Sequence, residues 1–226
     1  MSIDTKRILA YVDHTLLGVT ATAADYLRLC DEGLAHGVAS VCVPPSRVKL
    51  CAGYLASSNL AVCTVVGFPN GYMASAIKAS EAKQAIADGA TEIDMVIDIG
   101  LAKEHDYEAV LADIQAVRAA TQGYILKVII ETALLTREEI IALCEVVGKA
   151  GADFIKTSTG FAPEGATVES VTLLRQYSPS HVAVKAAGGI ASLEDAENFI
   201  ALGATRLGTS RVVKIVQGMN TDSAGY

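Results

Sequence analysis

Eight short apolar, β-branched runs recur along the chain, each followed by a longer segment with helical patterning. The runs are 11–16, 40–43, 61–66, 92–97, 124–130, 153–157, 182–186 and 205–208. The helical segments lie near 22–36, 46–56, 73–88, 106–120, 136–149, 167–177, 192–202 and 210–217. Strands that are apolar along their length are covered on both faces, as in parallel sheets. Parallel neighbours need a right-handed crossover, usually a helix. Eight such units predict an α/β chain closed into a single (β/α)8 TIM barrel over 1–226, with a short N-terminal helix and a polar tail from about 219. The alternative, an open doubly wound sheet, carries Gly-x-Gly-x-x-Gly after its first strand. Tyr11-Val12-Asp13-His14-Thr15-Leu16 contains no glycine.

Local signals mark the helix ends. Thr136-Arg137-Glu138-Glu139 reads as a capping box, and Ser192-Leu193-Glu194-Asp195 follows the same logic with Asp in third place. Gly89, Gly148, Gly151 and Gly203 fall near helix ends, where a left-handed residue costs least as glycine.

Composition narrows the function. Hydrophobic residues are 51% and charged residues 19%, which excludes a disordered chain. With 25 acidic against 18 basic residues the net charge is −7, which argues against nucleic acid or an anionic membrane as partner. A small phosphorylated metabolite remains open, because it feels the local site. Five cysteines without a Cys-x-x-Cys pair predict reduced thiols and no structural zinc. The first residues lack the apolar core of a signal peptide, and no apolar run reaches the roughly 18 residues of a membrane span. A cytoplasmic protein is expected.

In a barrel of this kind chemistry sits at the C-terminal ends of the strands. Polar residues there that the apolar pattern does not require are Asp13, Thr15, Cys42, Asp94, Lys127 with Glu131 beyond it, Lys156, Thr157, Ser158 and Lys185. Lys156 and Lys185 fall on neighbouring strands. A nucleophilic lysine must be neutral, so its pKa has to fall from about 10.4 toward 7, about 4–5 kcal/mol. A second ammonium about 5 Å away at an effective dielectric near 20 supplies about 3 kcal/mol of that. Lys127 reads as a structural cation paired with Asp94 or Glu131. Asp94 either orients a lysine and moves protons or is a plain counter-ion. Cys42 reads as an inert buried thiol.

A second group handles an anion. Ala187-Gly188-Gly189-Ile190 follows the seventh strand and Leu207-Gly208-Thr209-Ser210-Arg211 the eighth, the usual phosphate cradle of such barrels. Arg211, in the first turn of the last helix, opposes the helix dipole unless an anion is near. The four histidines are scattered, and His-Glu-x-x-His, Walker and Gly-x-Ser-x-Gly motifs are absent. Lysine chemistry without metal or cofactor is what remains.

These residues also form a family pattern. The chain resembles deoxyribose-phosphate aldolases of the shorter form common in bacteria. The resemblance is carried by Val12-Asp13-His14-Thr15-Leu16-Leu17, Ser40-Val41-Cys42-Val43, Val65-Val66-Gly67-Phe68-Pro69 and Glu92-Ile93-Asp94-Met95-Val96. It continues through Leu126-Lys127-Val128-Ile129-Ile130-Glu131-Thr132, Phe154-Ile155-Lys156-Thr157-Ser158-Thr159-Gly160, and Val184-Lys185 followed by Gly188-Gly189. It implies a class I aldolase that reversibly cleaves 2-deoxy-D-ribose 5-phosphate to acetaldehyde and D-glyceraldehyde 3-phosphate. By its motif Lys156 is the Schiff-base lysine, Lys185 the neighbour that lowers its pKa, and Asp94 the relay carboxylate acting with a water. Phosphate contacts are implied at Gly160, Gly188, Gly189 and Ser210, with Asp13, Thr15, Cys42 and Thr157 also about the substrate. Tyr226 is placed to fold over the site and assist proton transfer; the alternative is a disordered end. A metal-free homodimer is implied. The chain departs from the pattern at Gly18-Val19, Pro44, Asn70, Ala187 and Arg211, none a catalytic position. Two other functions compete: another lysine-dependent phosphosugar aldolase or lyase, and a barrel that binds a phosphosugar without chemistry.

Overall fold

The computed structural model describes residues 4–219, so Tyr226 lies outside the described residues. Eight parallel strands close in sequence order into one barrel: β1 (Val12–Thr15), β2 (Ser40–Val43), β3 (Ala61–Val66), β4 (Glu92–Val96), β5 (Ile125–Ile129), β6 (Phe154–Lys156), β7 (Ala183–Ala187) and β8 (Ala204–Thr209). Outside run α1 (Thr5–Leu9), α2 (Ala23–His36), α3 (Val48–Tyr54), α4 (Ser75–Ala87), α5 (Ile99–Lys103), α6 (Tyr107–Ala120), α7 (Arg137–Lys149), α8 (Val168–Tyr177), α9 (Leu193–Ala201) and α10 (Val212–Val216). The expected (β/α)8 architecture is the one observed. The segment expected as one helix over 46–56 divides into a 3-10 turn, Pro45–Arg47, and α3. Pro45 opens that turn, where its fixed φ and missing N–H cost nothing. Helix α5, which the periodicity did not reveal, is capped by Asp98 accepting from the Leu101 N–H at 3.3 Å.

The predicted capping box at α7 is present, with Thr136 Oγ1 accepting from Glu139 N at 3.3 Å and Glu139 Oε2 from Thr136 N at 2.7 Å. Ser192 caps α9, but Asp195 reaches past it to the Ala191 N–H at 3.0 Å. Gly148 does not end a helix. It lies inside α7, and a Cβ there would stand 2.6 Å from Pro179 Cγ, so close packing requires the glycine.

The strands alternate between two environments. Outward residues such as Val12, Val41, Ile93, Met95, Leu126, Val128, Ile155, Val184 and Leu207 form one buried apolar layer with the helices. Each contributes about 1.5–3 kcal/mol on burial. Inside the barrel the apolar group is small: Leu17, Cys42, Cys63 and Val65, with Phe68 against them. Beside it the interior holds a network of charged side chains.

One buried pair outside the barrel braces the strand that carries Asp94. Lys78 of α4 donates to Asp113 Oδ2 of α6 at 2.7 Å and to the Val96 carbonyl at 2.9 Å. Both side chains are buried. Asp113→Leu will cost about 3–5 kcal/mol in urea unfolding, because it strands a buried ammonium. The double variant Lys78→Met/Asp113→Leu will recover most of that loss. A single variant within about 1 kcal/mol of the parent would remove the pair from the fold's energetics.

Candidate active site

Adjacent strands bring the chemistry-bearing side chains to one place. Register pairs Lys156 with Lys185 across β6 and β7, and Asp94 with Lys127 across β4 and β5. Asp94 is wholly buried at the centre. Its Oδ2 accepts from Lys156 Nζ at 2.9 Å and from Lys185 Nζ at 2.7 Å, so the two ammonium groups are immediate neighbours. Its Oδ1 accepts from Lys127 Nζ at 2.7 Å and from the Cys63 thiol at 3.2 Å.

A second tier lies below. Lys185 also donates to Asp13 Oδ2. Asp13 Oδ1 accepts from Ser40 Oγ at 2.7 Å and from Arg206 Nη1. Arg206 spans to Glu92 with contacts of 2.8 and 3.1 Å, and Lys127 Nζ meets Glu92 Oε2 at 2.6 Å. Among the described residues the interior therefore holds four cations, Lys127, Lys156, Lys185 and Arg206, against three carboxylates, Asp13, Glu92 and Asp94.

Burial and charge oppose each other here, and charge wins. Burial raises the Asp94 pKa, but Lys127, Lys156 and Lys185 hold it well below the usual carboxylate range. Asp13 behaves likewise: burial raises it, and Lys185, Lys127 and Arg206 bring it below its usual value. Lys185 and Lys127 mirror this. Burial lowers each, and the facing carboxylates carry both above an ordinary lysine.

The other expected residues separate. Gly160, Gly188, Gly189 and Ser210 line one cavity of about 400 Å3 with Arg211, fed by the loops after β6, β7 and β8. Gly188 and Gly189 both have φ +73, a left-handed conformation that side chains resist. The loops also touch: a Cβ on Gly165 would stand 2.3 Å from the Gly188 carbonyl carbon. Thr157 does not line that cavity. Its Oγ1 donates to the Ala187 carbonyl at 3.2 Å and accepts from the Ala187 N–H at 3.1 Å, which ties β6 to β7. Thr15 Oγ1 donates to the Asp13 carbonyl at 2.8 Å. Cys42 packs in the inner apolar group, which continues into a cavity of about 190 Å3 bounded by Leu17, Val65, Phe68 and Phe161. Phe68 and Phe161 meet edge to face at 5.3 Å.

Glu131 is not a partner of Lys127, as one sequence alternative had it. Lys127 takes Asp94 and Glu92, whereas Glu131 binds Thr159. Sequence reasoning passed over Glu92, Arg206, Cys63 and Ser40. The period of two was the available signal: Glu92 lies two before Asp94, and Arg206 two before Gly208, on inward faces.

The aldolase profile described as DeoC/LacD family matches residues 7–214. A deoxyribose-phosphate aldolase of Streptococcus agalactiae serotype Ia is 52% identical over 224 residues, covering 99% of this chain and all of that one. One from Streptococcus pyogenes serotype M4 is 53% identical over the same span. Among solved structures, the deoxyribose phosphate aldolase of Aeropyrum pernix, described as tetrameric, superposes with a TM-score of 0.89 at 32% identity. That superposition covers 95% of this chain and 92% of that one.

Proposed function

The chain belongs to the DeoC/LacD family of aldolases, and from that premise we propose that it cleaves 2-deoxy-D-ribose 5-phosphate reversibly through an imine on Lys156. The observation that carries the reading is the sharing of one Asp94 oxygen by Lys156 and Lys185. Among the described residues, Lys185 has two carboxylates and Lys127 three, whereas Lys156 has Asp94 alone. Removing the Lys156 proton leaves three cations facing three carboxylates. Of the three lysines, the amine that chemistry requires neutral is the one with the fewest carboxylates facing it.

Lys156 Nζ attacks C1 of the open-chain sugar, and loss of water gives the protonated imine. The C3 hydroxyl gives up its proton, the C2–C3 bond breaks, and its electron pair moves toward the iminium to leave an enamine. Glyceraldehyde 3-phosphate departs. Protonation at C2 and hydrolysis then release acetaldehyde and restore the amine. Asp94, held strongly ionised, is a weak base. Its work is to stabilise the iminium charge and to orient Lys185, while an ordered water beside it takes the C3 hydroxyl proton and later returns one to C2. The sugar phosphate takes the glycine-lined cavity, where Arg211 adds charge. The same reading includes a cytoplasmic homodimer that needs neither metal nor cofactor.

Borohydride reduction in the presence of acetaldehyde, followed by peptide mass mapping, tests this. A reduced two-carbon adduct on Lys156 is expected. An adduct on Lys185 would exchange the roles of the two lysines. Folded protein with no adduct on either would favour a barrel that only binds a phosphosugar.

A further inference from the structure

Glu131 is a buried carboxylate that the proposed chemistry does not use. Its backbone stands at φ +55, left-handed for a residue that is not glycine. Such a conformation persists only where its surroundings over-determine it. The side chain is 3% exposed. Oε2 accepts from the Thr159 N–H at 3.1 Å and from Thr159 Oγ1. Oε1 is buried with no hydrogen-bond partner among the described residues. A carboxylate kept in this state, without a cation of its own, needs a reason.

The hydrogen bonds around it supply one. The Ile130 N–H donates to the Lys156 carbonyl at 3.1 Å, and the Thr132 N–H to the Thr157 carbonyl at 2.9 Å. The turn at Glu131 sits between these two bonds, and its carboxylate takes the next N–H but one, that of Thr159. Thr159 Oγ1 in turn accepts from the Phe161 N–H at 3.1 Å. Residues 130–132 thus grip the segment 156–161 at Lys156, Thr157 and Thr159, and through Thr159 at Phe161. That segment starts with the reactive amine, and Gly160 within it lines the glycine cavity.

We propose that Glu131 is a positioning residue that fixes the distance between the Lys156 amine and the phosphate cavity, and so sets the preference for phosphorylated over unphosphorylated sugar. This rests on the reading of Lys156 and that cavity given above. The phosphate orients the sugar only if cavity and amine keep one spacing, and binding energy at a remote group is then spent on alignment at the reacting carbon. An unphosphorylated sugar never engages the cavity and has nothing to lose when the spacing relaxes.

The test compares wild type, Glu131→Ala and Glu131→Gln on deoxyribose 5-phosphate and on deoxyribose. Glu131→Ala is expected to lower kcat/KM for the phosphate by roughly 10^2-fold, the scale of a 1 Å misplacement, while deoxyribose turnover stays within about threefold. Glu131→Gln keeps an acceptor for Thr159 and is expected to fall between. Amide exchange should quicken over 157–161 in Glu131→Ala and stay unchanged elsewhere in the barrel. Equal losses on both sugars, or an unmoved ratio in both variants of an active enzyme, would overturn the inference. If Glu131→Ala does not fold, the ratio in Glu131→Gln decides. A wild type that turns over neither sugar overturns the reading beneath it, a result visible before any variant is made.

Discussion

Lys156→Met protein will fold with close to wild-type stability and lose turnover of deoxyribose 5-phosphate by 10^4-fold or more, on the order seen when a covalent nucleophile is removed. The pairing of these two outcomes is the informative part. Removing a buried lysine commonly strands its carboxylate and costs about 3–5 kcal/mol. Here Asp94 keeps Lys127 and Lys185, and the interior goes from four cations over three carboxylates to an even count. Unfolding in urea within about 1 kcal/mol of wild type is expected, together with an assay at background. Lys156→Arg will be equally inactive, since a guanidinium does not deprotonate in a protein. Turnover within tenfold of wild type in either variant would take the imine away from Lys156.

Asp94→Asn carries the opposite sign for stability. It leaves four cations with two carboxylates in a closed interior, and a loss of about 3–5 kcal/mol at pH 7 is expected. Turnover will fall by roughly 10^2–10^4-fold, because the proposed iminium loses its facing charge. The pH dependence identifies the cause. Asp94 and Asp13 have folded pKa values below their unfolded ones. Their contribution is complete above the unfolded value of about 3.9 and drains away as pH falls below it. Lys127 and Lys185 are shifted upward, so theirs is complete below about 10.4 and is lost only as pH climbs through the higher folded values. Wild type should therefore hold a plateau between these limits and weaken in acid. Asp94→Asn should show a lower plateau and a shallower acid limb. Urea midpoints from pH 3 to 8 measure both, and superimposable curves would mean that Asp94 does not hold the interior together.

The barrel itself was legible because every strand is a short apolar run and every crossover a helix with its own start and stop. The meeting of Lys156, Lys185 and Asp94 was legible for the converse reason: ionisable groups inside apolar strands advertise a special environment. Glu92 and Arg206 escaped because each stands near the beginning of its strand, where a charge resembles a solvated strand end. Only the closed barrel brings these two side chains together, since their strands are not neighbours. Of the two counter-ions offered for Lys127, Asp94 is the one it meets, whereas Glu131 turns to Thr159. For Thr157 the motif gave a place about the substrate but not its tie to the neighbouring strand, which the hydroxyl makes at Ala187. In each case the missing information was lateral, namely which residues of different strands stand at the same height.

The division of the barrel into an apolar outer layer and an ionic interior shapes how such a protein can diversify over generations. Outside, selection acts on volume, and one hydrocarbon side chain exchanges for another at modest cost. Inside, it acts on a sum of charges, so a single step that removes a carboxylate is barred while a compensated double step stays open. Among the described residues Lys156 is the lysine of that network least bound by the constraint, because it faces one carboxylate, which keeps two other lysines. A descendant could discard the Lys156 amine and keep the barrel, so that, on the chemistry proposed above, activity is lost by a shorter path than the fold.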